Sequence, residues 1–298
     1  MTAAVHAERG NARRPAGWWW VRPAAAAATL AVLVWQLGTG PFLDGLRAID
    51  GGALAAATGL ALLTTMCCAW RWRIVAHGLG VDLPLGTAVA ACYRSLFLNV
   101  TLPGGVVGDV DRGLSHGLRA VVCERSAGQA VQIVLTVAVL LAVPSPVQAS
   151  MPFVALALLA AAAGVVLAGR AWPRLGSAAA RDVRDALLAR RAWPAIALAS
   201  ALVVAGHAVT FLIAARAAGA TAPPSQMLPL ALLVLVAAGL PNVGGWGPRE
   251  GVTAWAFAAA GLGASLGVAT AVVYGVMVLV ATLPGAAVLV ASGVRAHA

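Results

Sequence analysis

Two stretches of the chain gather charged residues where everything around them is apolar. The first, LPGGVVGDVDR at 102–112, ends in Asp109, Asp111 and Arg112; the second, LPNVGGWGPRE at 240–250, ends in Arg249 and Glu250. Two chemistries suit such residues. Guanidinium groups hold phosphate oxygens bidentately, so Arg112 and Arg249 are candidates to grip an anionic head. The carboxylates Asp109, Asp111 and Glu250 could work as acid, base or metal ligand, although nothing in their spacing requires it. Arg249 and Glu250 are sequence neighbours and would not face each other on a helix. Each is expected to find its partner in the other stretch, giving an arginine–carboxylate network between the two. The alternative is a set of structural ion pairs that only lock the two loops. Gly104, Gly105, Gly244 and Gly245 stand just ahead of the charges, where free backbone N–H groups would also favour an anion.

Other polar residues repeat at helical spacing. Gln129, Gln132 and Thr136 fall at i, i+3 and i+7, a single stripe that should face a bundle interior; interhelical hydrogen bonding explains it as well as a ligand does. His207 and Thr210 form a similar pair, with a proton relay as the sharper reading of His207. Tyr274 joins Gln129, Gln132 and His207 as a candidate to line a cavity. Asn99 follows Tyr93 and Arg94 in the segment before the first glycine break, and Arg94 is expected to reach for the nearer membrane surface. Cys67, Cys68, Cys92 and Cys123 have no paired metal-ligand spacing and read as small buried hydrophobes. No metal site and no cofactor are expected. There is no HExxH or GxSxG signature, and GWGPREG misses a dinucleotide fingerprint by one residue.

These residues sit in a chain that water cannot solvate. Of its 298 residues 61% are hydrophobic and 10% charged, with mean hydropathy +0.89; soluble domains carry about 25% charged residues. The long, uniformly apolar runs predict an all-α, polytopic membrane bundle, because barrel strands would alternate at every second residue. The formal net charge is +10 and all twenty basic residues are arginine. That excludes a phosphate-loop lysine and a Schiff base. Nucleic acid is not the expected partner, since the arginines cluster between apolar runs, as membrane orientation and anionic headgroups require.

A span needs roughly 17–25 apolar residues. Six runs qualify, at 23–39, 52–70, 126–143, 151–169, 194–215 and 266–291. Two shorter ones, 85–102 and 226–240, end at the glycine breaks and are expected to enter the membrane and turn back. With the N-terminus inside, Arg71, Arg112, Arg119 and Arg125 fall on the cytoplasmic side with most other arginines, and Arg47 and Arg216 fall outside. Both termini are then cytoplasmic and the location is the cell membrane. Trp18, Trp70, Trp72 and Trp193 mark the boundaries. Residues 1–22 form a basic tail, 23–292 the membrane domain and 293–298 a second tail. The polar stretch 170–193 reads as a cytoplasmic linker with a short helix capped by Ser177, on which Arg181 and Asp185 can pair.

The two breaks are also related. Each follows a short apolar helix, begins with Leu-Pro, passes through glycines, ends in charges and is flanked by full spans. Counting crossings gives the units 52–143 and 194–291 opposite directions, an inverted repeat. Broken helices at matching places of two inverted halves point to a binding site in transporters.

At these motifs the chain resembles the lysylphosphatidylglycerol synthase transmembrane (flippase-like) family. FLNVTLPGGVVGDVDR carries matching Asn99, Pro103, Gly104, Gly108, Asp109 and Arg112. LPNVGGWGPRE carries Pro241, Gly244, Gly245, Gly247, Arg249 and Glu250. Val107 stands where glycine is frequent, and the second loop is one residue short. The resemblance implies binding or movement of an anionic phospholipid or a polyprenyl-phosphate-linked intermediate, with Asn99, Gly104, Gly105, Asp109, Arg112, Gly244, Gly245, Arg249 and Glu250 at the substrate. The 298 residues contain no soluble aminoacyl-transferring domain, and lysyl transfer is not expected. An accessory protein that presents a lipid to an enzyme, or a membrane transferase, are the other readings. A homo-oligomer or an association with a lipid-modifying enzyme stays open.

Overall fold

The computed structural model describes residues 31, 34–36, 38–102, 107–143, 167, 170, 177, 180–190, 192–239 and 246–297. The described elements are helices: α1 (Gly40–Arg47), α2 (Gly51–Gly78), α3 (Leu85–Thr101), α4 (Val107–His116), α5 (Leu118–Ala142), α6 (Trp193–Ala217), α7 (Pro224–Ala238), α8 (Pro248–Ala259), α9 (Ala264–Ala281) and α10 (Pro284–His297). A π-helical turn, Val183–Leu187, lies in the linker. Among the described residues, four helices are long and apolar enough to cross a membrane: α2, α5, α6 and the stretch Ala264–Ser292 made of α9 and α10. The run expected at 266–291 is thus interrupted at Thr282–Leu283 by Pro284, which cannot continue the ladder. Most of the run at 23–39, and all but residue 167 of the run at 151–169, fall outside the described residues.

Local sequence sets the boundaries. The Asp50 side chain accepts from the Ala53 N–H at 2.8 Å and caps α2. Prolines open α6, α7 and α8, where a missing N–H costs nothing. With 17 residues α3 is shorter than α2 with 28; at 1.5 Å per residue it reaches about 25 Å, against a hydrocarbon core of about 30 Å.

Side-chain register gives the directions. Along α3 and α4, Asn99 meets Gly108, Ser95 meets Asp109, Arg94 meets Asp111 and Cys92 meets Arg112. One index falls as the other rises, so the two helices are antiparallel and the chain turns back between them. Gly108 makes this possible: a Cβ there would lie 2.6 Å from the Ser95 Cα. Between α2 and α6, Thr64 abuts Gly206 and Arg71 bonds Ser200, again antiparallel. The packing partners correspond in pairs. α2 packs on α3 as α6 packs on α7; α3 on α4 as α7 on α8; α5 on α6 as α9 on α2. The two halves share these pairings and have antiparallel lead helices, but α8 packs against α9 far more extensively than α4 against α5.

The apolar core is heavier in the second half. Phe211, Leu230, Phe257, Val273 and Met277 are buried together, with Phe211 edge-on to Phe257 at 6.3 Å. The first half packs Trp72, Ala76, Ala88 and Cys92. Trp72 is fully buried, unlike exposed Trp70 and Trp193, so it is a core residue and not a boundary marker.

Candidate functional site

A cavity of about 490 Å³ lies between α2, α3, α5, α6, α7 and α9. Its wall is made by one stripe from each long helix. On α2 these are Ala57, Ala61, Thr64, Cys68 and Arg71; on α5, Arg125, Gln129 and Gln132; on α6, Ser200, Val204, His207 and Thr210. Spacings of three and four keep each set on one helix face. The wall changes character along its length. Arg71, Arg125, Asp109, Asn99 and Ser200 gather the charge at one end; past Thr64, Val204 and His207 the other end carries Ala57 and Ala61 beside Thr210, and Leu235 adds apolar wall. Arg71 and Ala57 are fourteen residues apart on α2, or about 21 Å along its axis.

The polar end is a five-charge cluster. Glu124 is buried and takes Arg71 on Oε1, with Nε at 3.0 Å, and Arg112 on Oε2 at 2.9 Å. Arg71 also donates Nη1 to Ser200 at 2.9 Å, and its Nη2 bonds Glu124. Asp109 accepts from Arg125 Nη2 at 2.7 Å, Ser95 at 2.9 Å, Asn99 at 3.2 Å and Arg112 at 3.3 Å. Arg112 lies 4.5 Å above the Trp72 ring, a favourable cation–π distance. Gly128 seats Arg71 against α5: a Cβ there would come within 2.9 Å of both terminal guanidinium nitrogens. Burial of this many charges is tolerable only because each carboxylate is shared between arginines.

The second half builds something smaller. Glu250 accepts the Gly247 N–H at 2.6 Å and bonds Arg249 through Nε at 2.9 Å. Arg249 sits 5.6 Å from the Trp246 ring and 5.3 Å from the Tyr274 ring. A Cβ at Gly275 would meet its Nη2 at 2.6 Å. Tyr274 Oη then shares a hydrogen bond with His207 Nδ1 at 3.2 Å.

Several expectations are corrected here. No bond joins Arg249 or Glu250 to Asp109, Asp111 or Arg112; the network between the two stretches divides into two local ones. Arg249 and Glu250 pair with each other because Glu250 curls back to the helix N-terminus and brings Oε1 under its neighbour. Arg94 bonds Asp111 at 2.5 Å, so it finds its partner inside the hairpin. Arg71 and Arg112, expected among the cytoplasmic-side arginines, are buried within the bundle, and Arg125 lines its cavity. Asp182 of the linker is held by Arg119, with Nε at 2.9 Å from Oδ2.

Of the residues expected at the substrate, Asn99 and Asp109 line the cavity, as do Gln129, Gln132, His207 and Tyr274. Arg112, Arg249 and Glu250 are buried behind the wall. Gly104, Gly105, Gly244 and Gly245 lie outside the described residues. Thr136 turns away and bonds the Gln132 carbonyl at 2.7 Å. Sequence reasoning missed Arg71, Glu124, Arg125 and Ser200. The signal for Arg71 was present: Thr64, Cys68 and Arg71 fall at i, i+4 and i+7. Among the described residues no His, Cys, Asp and Glu group could hold a metal ion.

No curated protein and no solved structure matches the chain. A family model matches residues 19–285, a range that takes in both glycine breaks and the whole cavity wall. This membrane protein belongs to the lysylphosphatidylglycerol synthase TM region family, which points to lipid handling.

Proposed function

We propose that the protein binds an anionic phospholipid, or a lipid-linked intermediate with an anionic head, and moves it across the cell membrane. The observation that carries this reading is the graded cavity. Arginines stand at one end, and the other, about 21 Å away along α2, carries Ala57 and Ala61 beside the uncharged Thr210. A lipid has the same gradation. The head would rest on Arg125 and Arg71, and the chains would run toward Ala57, Ala61 and Leu235. Asp109 and Glu124 hold the arginines in place and neutralise most of their charge. Asn99 and Gln129 add polar contacts on the wall.

The two halves supply the means of movement. Helix hairpins that enter the membrane and turn back, related by an inverted repeat, allow one half to rock against the other around a fixed site. Both termini would then lie in the cytoplasm. No covalent chemistry is needed, and the reading is of a carrier, not an enzyme.

Purified protein in proteoliposomes with a labelled anionic lipid tests this. Faster exchange between leaflets than in protein-free vesicles is expected. Exchange at the protein-free rate, with the protein folded, would contradict the carrier and leave a lipid-presenting accessory protein.

A further inference from the structure

We propose that the cavity selects a phosphodiester head group of net charge minus one, and that Arg125 sets that selection. The inference rests on the lipid-binding reading and names the charge that such a site takes. Three guanidinium groups, Arg71, Arg112 and Arg125, share two carboxylates, Asp109 and Glu124. The nearby pairs Arg94–Asp111 and Arg249–Glu250 are each balanced. Among the described residues one positive charge is left without a carboxylate, in a bundle of apolar helices where an uncompensated charge is costly. A bound anion of charge minus one closes the balance. Asp109 on the wall opposes a second negative charge, so a pyrophosphate is disfavoured by the same residues that hold the arginines.

Arg125 is where the surplus meets the cavity. Arg71 and Arg112 are 4% and 2% exposed, whereas the Arg125 side chain is 40% exposed and on the wall. Its bonds to Asp109 use Nε and Nη2, and Nη1 takes no part in them. Gln132 lies two turns further along α5, on the same stripe. Gln132 lines the cavity, and its Nε2 is buried with no hydrogen-bond partner among the described residues.

The full chain in detergent is titrated with phosphatidylglycerol, phosphatidylcholine, a polyprenyl pyrophosphate and soluble glycerophosphoglycerol. Phosphatidylglycerol should bind tighter than phosphatidylcholine and the pyrophosphate by about tenfold, as one charge-assisted contact allows. Arg125→Gln should bring the two phospholipids level, and Arg125→Lys should keep the preference. Asp109→Asn should move it the other way, toward the pyrophosphate. Thermal unfolding of each variant shows that it is folded. Equal wild-type affinity for phosphatidylglycerol and phosphatidylcholine, or tighter binding of the pyrophosphate, would overturn the proposal. Glycerophosphoglycerol binding as tightly as the lipid would leave the charge selection standing and refute the lipid reading. No binding of any of the four would refute both.

Discussion

The two hairpins start from the same sequence plan and end in opposite electrostatic states. In the α3–α4 hairpin, Asp109 and Arg112 are drawn into a cluster with Arg71, Glu124 and Arg125, and that cluster opens onto the cavity. In the α7–α8 hairpin, Arg249 and Glu250 satisfy each other and are roofed by Trp246 and Tyr274. The difference comes from the helices around them. α2 and α5 bring Arg71, Glu124 and Arg125 to the first break. α6 and α9 bring His207, Phe211 and Tyr274, with no further charge for the second. A repeat fixes where backbone is broken; the neighbours decide whether the break binds or locks.

The comparison breaks first, and hardest, at Glu124. Glu124→Ala would strand Arg71 and Arg112 inside the bundle, and a loss of about 3–5 kcal/mol is expected. Thermal unfolding in detergent should show little folded protein. Removing the second pair as a unit should cost far less. Arg249→Met with Glu250→Gln leaves no buried charge behind and keeps an acceptor for the Gly247 N–H, so stability should change by about 1 kcal/mol or less. If the double variant were as damaging as Glu124→Ala, the two sites would not differ as described.

Gly128→Val sharpens the first site alone. Its side chain would push the Arg71 guanidinium off α5, with overpacking of about 1–3 kcal/mol and a fall in lipid exchange. Tyr274→Phe touches the second. It removes only the bond to His207, worth about 0.5–1.5 kcal/mol, and should leave exchange close to wild type. The smallest effect lies outside both. The hydrogen bond from Arg119 holds Asp182 below the usual carboxylate range. Its contribution is therefore present at neutral pH and lost as pH falls through that lowered value. Asp182→Asn should remove this shallow acid dependence from the unfolding curve and alter nothing else.

Much of the bundle was legible in the sequence, and the reason is physical. A hairpin in lipid must keep its backbone bonded, so Leu85–Thr101 and Pro224–Ala238 announce themselves as short apolar runs that stop at Leu-Pro. The polar stripe of Gln129 and Gln132 was legible for the same reason. The charge partners were not. Counting apolar residues ends α2 at Trp70, yet the helix continues to Gly78 and carries Arg71 inward. An arginine with a buried carboxylate does not have to leave the bundle, and that carboxylate, Glu124, is 53 residues away in sequence. Likewise, helix geometry forbids neighbours from facing each other, but at a helix start Glu250 folds back on Gly247 and escapes the rule.

The most direct test sets the two sites side by side in one assay. Leaflet exchange of labelled phosphatidylglycerol is measured in proteoliposomes for wild type, Arg125→Gln and the Arg249→Met/Glu250→Gln double variant, each shown to be folded. Exchange should collapse with Arg125→Gln and persist in the double variant. Persistence in Arg125→Gln, or collapse only in the double variant, would contradict the assignment of the lipid head to the first hairpin.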